Sequence, residues 1–92
     1  MYNLVATNRF KKDLKLAIKR NLDIGLLKQV TDLLQAGQPL PEQYRDHALT
    51  GVFEGCRECH IKPDWLLIYK VSDQELILYL TRTGSHSDLF GK

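Results

Sequence analysis

The chain contains no apolar run approaching the roughly 18 residues that a membrane-spanning helix needs. Its start, Met1-Tyr2-Asn3-Leu4-Val5-Ala6-Thr7, lacks the basic opening and long apolar stretch of a secretory signal. Both absences point to a cytoplasmic protein with no membrane partner. There are only two cysteines, Cys56 and Cys59, and a reducing cytoplasm favours free thiols over a structural disulfide. Six glycines and three prolines in 92 residues exclude collagenous and low-complexity classes. With 43% hydrophobic and 26% charged residues, the composition is that of a folded globule, and the length suits one domain spanning 1–92. An excess of one charge is missing too: thirteen Lys and Arg against eleven Asp and Glu leave +2, which by itself names no partner.

Hydrophobic periodicity organises the chain. Tyr2 to Ala6 reads as a short strand, and Thr7 or Asn8 can cap the helix that follows. Phe10, Leu14, Ala17 and Ile18 then share one helical face, with Arg9, Lys11, Lys12, Lys15, Lys19 and Arg20 on much of the remainder. Ile24, Leu27, Val30, Thr31 and Leu34 mark a second helix that ends at Gly37, before Pro39 and Pro41. The short gap between the two implies a helical hairpin. Beyond the polar segment from Glu42 to Asp46 the pattern becomes that of strands. Val52 and Phe53 can start one, Arg57 to Lys62 alternates, and Trp65 to Val71 is almost continuously apolar, as an interior strand requires. A turn at Ser72 to Gln74 leads into Glu75 to Arg82, with Leu76, Leu78 and Leu80 on one face. Helices first and an antiparallel sheet afterwards is the α+β arrangement: the helices cover one sheet face, and the other is left for a site.

Chemistry-bearing residues fall into three groups. Six of the thirteen basic residues lie between Arg9 and Arg20, opposed there only by Asp13, so that segment is locally +5 and the remaining chain −3. A concentrated basic face suits a polyphosphate partner, although a solvated helix face has the same pattern. Cys56-Arg57-Glu58-Cys59-His60 matches the C-x-x-C-H pattern of haem attachment. That chemistry belongs to a translocated, oxidising setting and normally uses a second axial ligand, whereas the single methionine is Met1. Residues three apart on a strand also face opposite ways, so we expect packing thiols and neither metal nor cofactor. The histidines are the stronger lead. His47, His60 and His86 are the only three, each in a polar segment or at the end of an element, and imidazoles converging with Asp64 would supply a general base and a general acid. Arg82, close to His86 in the chain, can present a guanidinium to phosphate. Phe90 can stack on a base, and Trp65 reads either as core or as a contact supporting the site.

Taken together, Asp46-His47-Ala48-Leu49-Thr50-Gly51, the segment from Cys59-His60 through Pro63-Asp64-Trp65 to Lys70, and Arg82-Thr83-Gly84-Ser85-His86-Ser87-Asp88-Leu89-Phe90 resemble the YafQ branch of the RelE/ParE toxin superfamily, over nearly the whole chain. The resemblance implies a RelE/ParE-like, microbial ribonuclease-like fold, with an N-terminal strand and helical hairpin packed on one face of the sheet. It implies a type II toxin: a ribosome-dependent endoribonuclease, or mRNA interferase, that cuts mRNA in the ribosomal A site and inhibits translation. A DinJ-like antitoxin would hold it inactive, in a toxin–antitoxin heterotetramer. Its functional set would fall on His47, His60, Asp64, Trp65, His86 and Phe90, with Arg82 adjacent. Asp64 or His60 would take the 2′-hydroxyl proton, Arg82 would stabilise the phosphorane and His86 would protonate the departing 5′-oxygen, leaving a 2′,3′-cyclic phosphate. Lys11, Lys12, Lys15 and Lys19 would dock on ribosomal RNA. A ParE-like gyrase inhibitor and a noncatalytic RNA-binding module are the alternatives. The first has no use for three histidines and an aspartate in these positions, and the second has none for His86.

Overall fold

A computed structural model describes residues 1–91. Strand β1 (Asn3–Ala6) passes directly into helix α1 (Asn8–Lys19) because Thr7 caps it, its hydroxyl accepting the Phe10 N–H at 3.0 Å. Asp23 caps α2 (Ile24–Gln35) by accepting the Gly25 N–H. Each cap meets one of the donors that a helix start leaves open. A 3₁₀ turn over Glu42–Tyr44, strand β2 (His47–Ala48), a second 3₁₀ turn over Gly51–Phe53, strands β3 (Arg57–Lys62), β4 (Trp65–Ser72) and β5 (Ile77–Gly84), and helix α3 (His86–Phe90) complete the order. Among the described residues, no helix is long and apolar enough to cross a membrane.

The chain adopts the expected α+β class. Strands β2 to β5 form an antiparallel meander, while β1 joins its far edge parallel to β5, so the sheet is mixed with order β1-β5-β4-β3-β2. One sheet face carries Cys59, Ile61, Trp65, Leu67, Tyr69, Leu78 and Leu80, packed with Phe10 and Ala17 of α1 and Leu27, Val30 and Leu34 of α2. The opposite face is not bare. Leu66 and Ile68 meet Leu89 of α3, with Leu49, Phe53 and Cys56 alongside. The sheet thus separates the two thiols, and burial pushes that of Cys59 up to about 12.

Local pattern and structure part in four places. Gly51–Phe53 is a 3₁₀ turn where Val52 and Phe53 had suggested a strand, and the left-handed φ of Gly51 and Gly55 breaks an extended path on both sides. Ile18 is 55% exposed, so the buried stripe of α1 is narrower than its apolar residues suggest. Leu76 is likewise exposed, in the turn before β5. A bulge matters more. Tyr69 pairs with Leu80 but Ile68 with Arg82, which leaves Thr81 as the extra residue. The alternation shifts there, and Thr83 rather than Arg82 enters the helix-covered core.

Candidate active site

Alternation along β3 puts Glu58 and His60 on the sheet face away from the helices, while Cys59 and Ile61 join the helix-covered core. Strand β2 lays His47 opposite Glu58, and α3 begins at His86. The three imidazoles form a row: ring centroids are 6.2 Å apart for His47 and His60 and 5.8 Å for His60 and His86. Beneath two of them lies Glu58, 5% exposed, with one carboxylate oxygen 3.7 Å from Nε2 of both His47 and His60. Glu58 was not among the expected site residues. The signal was its two-residue offset from His60, which puts both on one face.

Each imidazole is held differently. His47 donates from Nδ1 to the Arg45 carbonyl at 2.8 Å, which leaves Nε2 toward Glu58. Asp64, exposed in the β3–β4 turn, accepts the His86 backbone N–H at 2.9 Å and lies 2.6 Å from His86 Nδ1. These bonds, the backbone one first, hold the Asp64 carboxyl below its ordinary range. An ionised Asp64 accepts a hydrogen bond from Nδ1–H, so His86 Nε2 is the atom left for chemistry. His60 Nδ1 is buried with no hydrogen-bond partner among the described residues.

Helix α3 that carries His86 has its own anchor. Ser85 accepts the Asp88 N–H while Asp88 accepts the Ser85 N–H, a capping box, and Asp88 also binds Arg20, the C-cap of α1, at 2.7 Å. The Arg20 guanidinium, ahead of the Ser85 N–H, holds the Asp88 carboxyl at about 2 against an ordinary 3.8. A carboxylate depressed in the fold stabilises it above the unfolded value, and that contribution is lost as pH falls through about 2. Asp88→Asn is expected to lower the melting temperature by a few degrees at about pH 7, with the gap from wild type closing between about pH 4 and pH 2. Thermal unfolding across that range checks this, and a constant gap would remove the charge of Asp88 as the cause.

The remaining expected site residues are dispersed. Arg82 does not point its fork at the histidines: Nε and Nη2 bind Asp13 at 3.0 and 2.9 Å. It does line a cleft of about 340 Å³ together with Asp64, Arg9 and Arg20. Of the two readings of Trp65, the structure gives the core one, so its expected place among the RNA-contacting residues is corrected. Trp65 is 2% exposed on the helix-covered face, and its indole donates to Thr83 Oγ1 at 3.0 Å. Phe90 is 39% exposed and edge-on to Phe53 at 5.9 Å, one helical turn beyond His86. Lys11, Lys12, Lys15 and Lys19 are exposed along α1, on a helix that packs against the sheet face opposite the histidines.

The chain as a whole matches a known family. A family model described as a bacterial toxin of type II toxin-antitoxin system, YafQ, matches residues 2–91. The chain belongs to the YafQ toxin family. It is 45% identical over 86 residues to the mRNA interferase toxin YafQ of Escherichia coli (strain K12), covering 92% of this chain and 91% of that relative. The crystal structure of the E. coli DinJ-YafQ complex contains a chain 42% identical to this one, with TM-score 0.89 over 99% of this chain and 100% of that one. A metal-bound toxin from Helicobacter pylori is 46% identical, with TM-score 0.92 over 98% and 100% of the two chains. In this YafQ-family chain Glu58, His60 and His86 offer one donor atom each, all within 4.8 Å of one another, a donor set that suits Zn²⁺ or Cu²⁺.

Proposed function

We propose that this YafQ-family toxin is a ribosome-dependent endoribonuclease that cuts mRNA in the A site by acid-base catalysis and is held inactive by a DinJ-like antitoxin in a heterotetramer. The observation that carries the reading is the row of three imidazoles on one sheet face, with Glu58 behind two of them and Asp64 behind the third. RNA brings its own nucleophile, the 2′-hydroxyl, so the protein's task is proton transfer and charge. His60 takes the hydroxyl proton, and buried Glu58 steadies the imidazolium that results. Asp64 is disfavoured as base because its lowered pKa makes it a weak acceptor near neutrality. The 2′-oxygen attacks phosphorus, His86 gives a proton from Nε2 to the departing 5′-oxygen, and the products are a 2′,3′-cyclic phosphate and a 5′-hydroxyl. His47 orients the phosphate, Phe90 stacks on a base, and Arg82 contributes positive charge from the cleft it shares with Asp64. A divalent cation on Glu58, His60 and His86 would supply Lewis-acid charge to a phosphoryl oxygen, and it would engage the imidazoles that carry the proton steps above.

Primer extension on translated mRNA tests this. Codon-positioned cuts that appear only with ribosomes support the reading; equal cutting of naked RNA removes the ribosome from it, and no cutting removes the nuclease. Docking by α1 carries a separate expectation. Reversing charge at Lys11, Lys12 and Lys15 should weaken ribosome association about 10³-fold or more at moderate salt and flatten its salt dependence, with the fold intact because all three are exposed. Unchanged ribosome binding in a pelleting assay would end the docking role of that helix.

A further inference from the structure

We propose that a second concavity, beside the histidine row, reads the base of the nucleotide that supplies the attacking 2′-hydroxyl; this rests on the cleavage reading above. The concavity has a volume of about 310 Å³ and is walled by Gln43, Tyr44 and Arg45 on one side and by His60, Lys62 and Pro63 on the other. That is the small end of ligand pockets, which run from about 300 to 1,000 Å³, and it has room for one nucleotide. It shares His60 with the catalytic row.

Its chemistry suits a nucleotide. Among the described residues no acidic side chain lines it, so Arg45 and Lys62 leave it electropositive. Tyr44, half-buried and held by packing on the helix-covered core, lines the pocket with a fixed ring on which a base can stack, and the Gln43 carboxamide carries both a donor and an acceptor for a base edge. The larger cleft differs in this respect, since its Arg9, Arg20 and Arg82 are matched by Asp13, Asp64 and Asp88. Arg45 also ties the pocket wall to the row. It sits at φ +50°, in the left-handed region, with its N–H on the Glu42 carbonyl and its own carbonyl accepting His47 Nδ1. That conformation closes the 3₁₀ turn over Glu42–Tyr44 as its C-cap.

Strand order sets the polarity. His86 follows β5, His60 lies on β3, and the 43–45 wall lies past β3 on the β2 side. His86 serves the leaving 5′-oxygen, so the downstream nucleotide extends toward α3 and Phe90. The upstream nucleotide, whose hydroxyl His60 deprotonates, then extends toward Gln43 and Tyr44.

The test measures kcat/KM for cleavage on ribosomes programmed with each of the four bases at the upstream position. Gln43→Ala should shrink the ratio between the best and worst upstream base by about tenfold while leaving the downstream preference alone. Tyr44→Ala should lower kcat/KM for every base by about tenfold, and Tyr44→Phe, which keeps the ring, should restore it. An unchanged upstream preference in Gln43→Ala, or a change at the downstream base instead, overturns the subsite and leaves the nuclease standing. Wild-type protein that cuts nothing overturns the nuclease, and NMR titration with a 2′-O-methyl dinucleotide then decides the pocket by itself. Amide shifts at residues 43–45 and Lys62 support it, and shifts confined to α1 overturn it.

Discussion

His86→Gln is expected to lower mRNA cleavage on ribosomes by about 10²–10⁴-fold, the usual contribution of a positioned general acid. The fold should not change. The side chain is 47% exposed, and the bond from the residue-86 backbone N–H to Asp64, at 2.9 Å, does not depend on the imidazole. Glutamine keeps polarity and approximate size but cannot release a proton near neutrality. Single-turnover cleavage of a programmed ribosome complex, with melting temperature measured in parallel, separates loss of chemistry from loss of structure. A variant that cuts at the wild-type rate would take the acid role away from His86.

Trp65→Ala should show the opposite profile, a large loss of stability from a residue with no direct part in the chemistry. Truncating a buried Trp to Ala costs about 3–5 kcal/mol, which is much of the roughly 5–15 kcal/mol available to a small domain. Each kcal/mol corresponds to roughly 4–8 °C in a domain of this size. The loss has two parts: a cavity in the helix-covered core that Trp65 shares with Leu67, and an indole bond to Thr83 Oγ1, which itself donates to the Leu66 carbonyl at 2.6 Å. Trp65→Phe should keep most of the packing, lose about 1 kcal/mol with the hydrogen bond, and cut mRNA at near wild-type rate. Denaturant unfolding and cleavage rates read both quantities. If Trp65→Phe kept its stability and lost its activity, the side chain would have to reach RNA after all.

The elements were more legible than the contacts. Thr7 and Asp23 announce their helices because a cap is a local event, satisfied within three residues. The apolar run beginning at Trp65 announces a central strand because both of its faces are covered, by the helices on one side and by Leu89 and its neighbours on the other. Helix α3 escaped notice because five residues are too few to show a helical period. Leu78 and Leu80 share one face of β5 as their spacing indicates, but the phase beyond them was not legible. A single bulged residue, Thr81, reverses the alternation, and nothing in the residue types of that strand announces it.

By itself the sequence determined the class of fold, the position of most elements, the family, and the set of imidazoles and carboxylates from which a site can be built. The tertiary structure alone decided how those groups pair. It put Asp64 against His86 across 22 residues and Arg82 against Asp13 across 69, slid Glu58 beneath two histidines, turned Trp65 inward and opened a pocket beside His60. Caps and hydrophobic periods are set by neighbours a few residues away, so they are visible along the chain. Ion pairs and pockets depend on which sheet face and which edge a residue reaches once distant segments have packed.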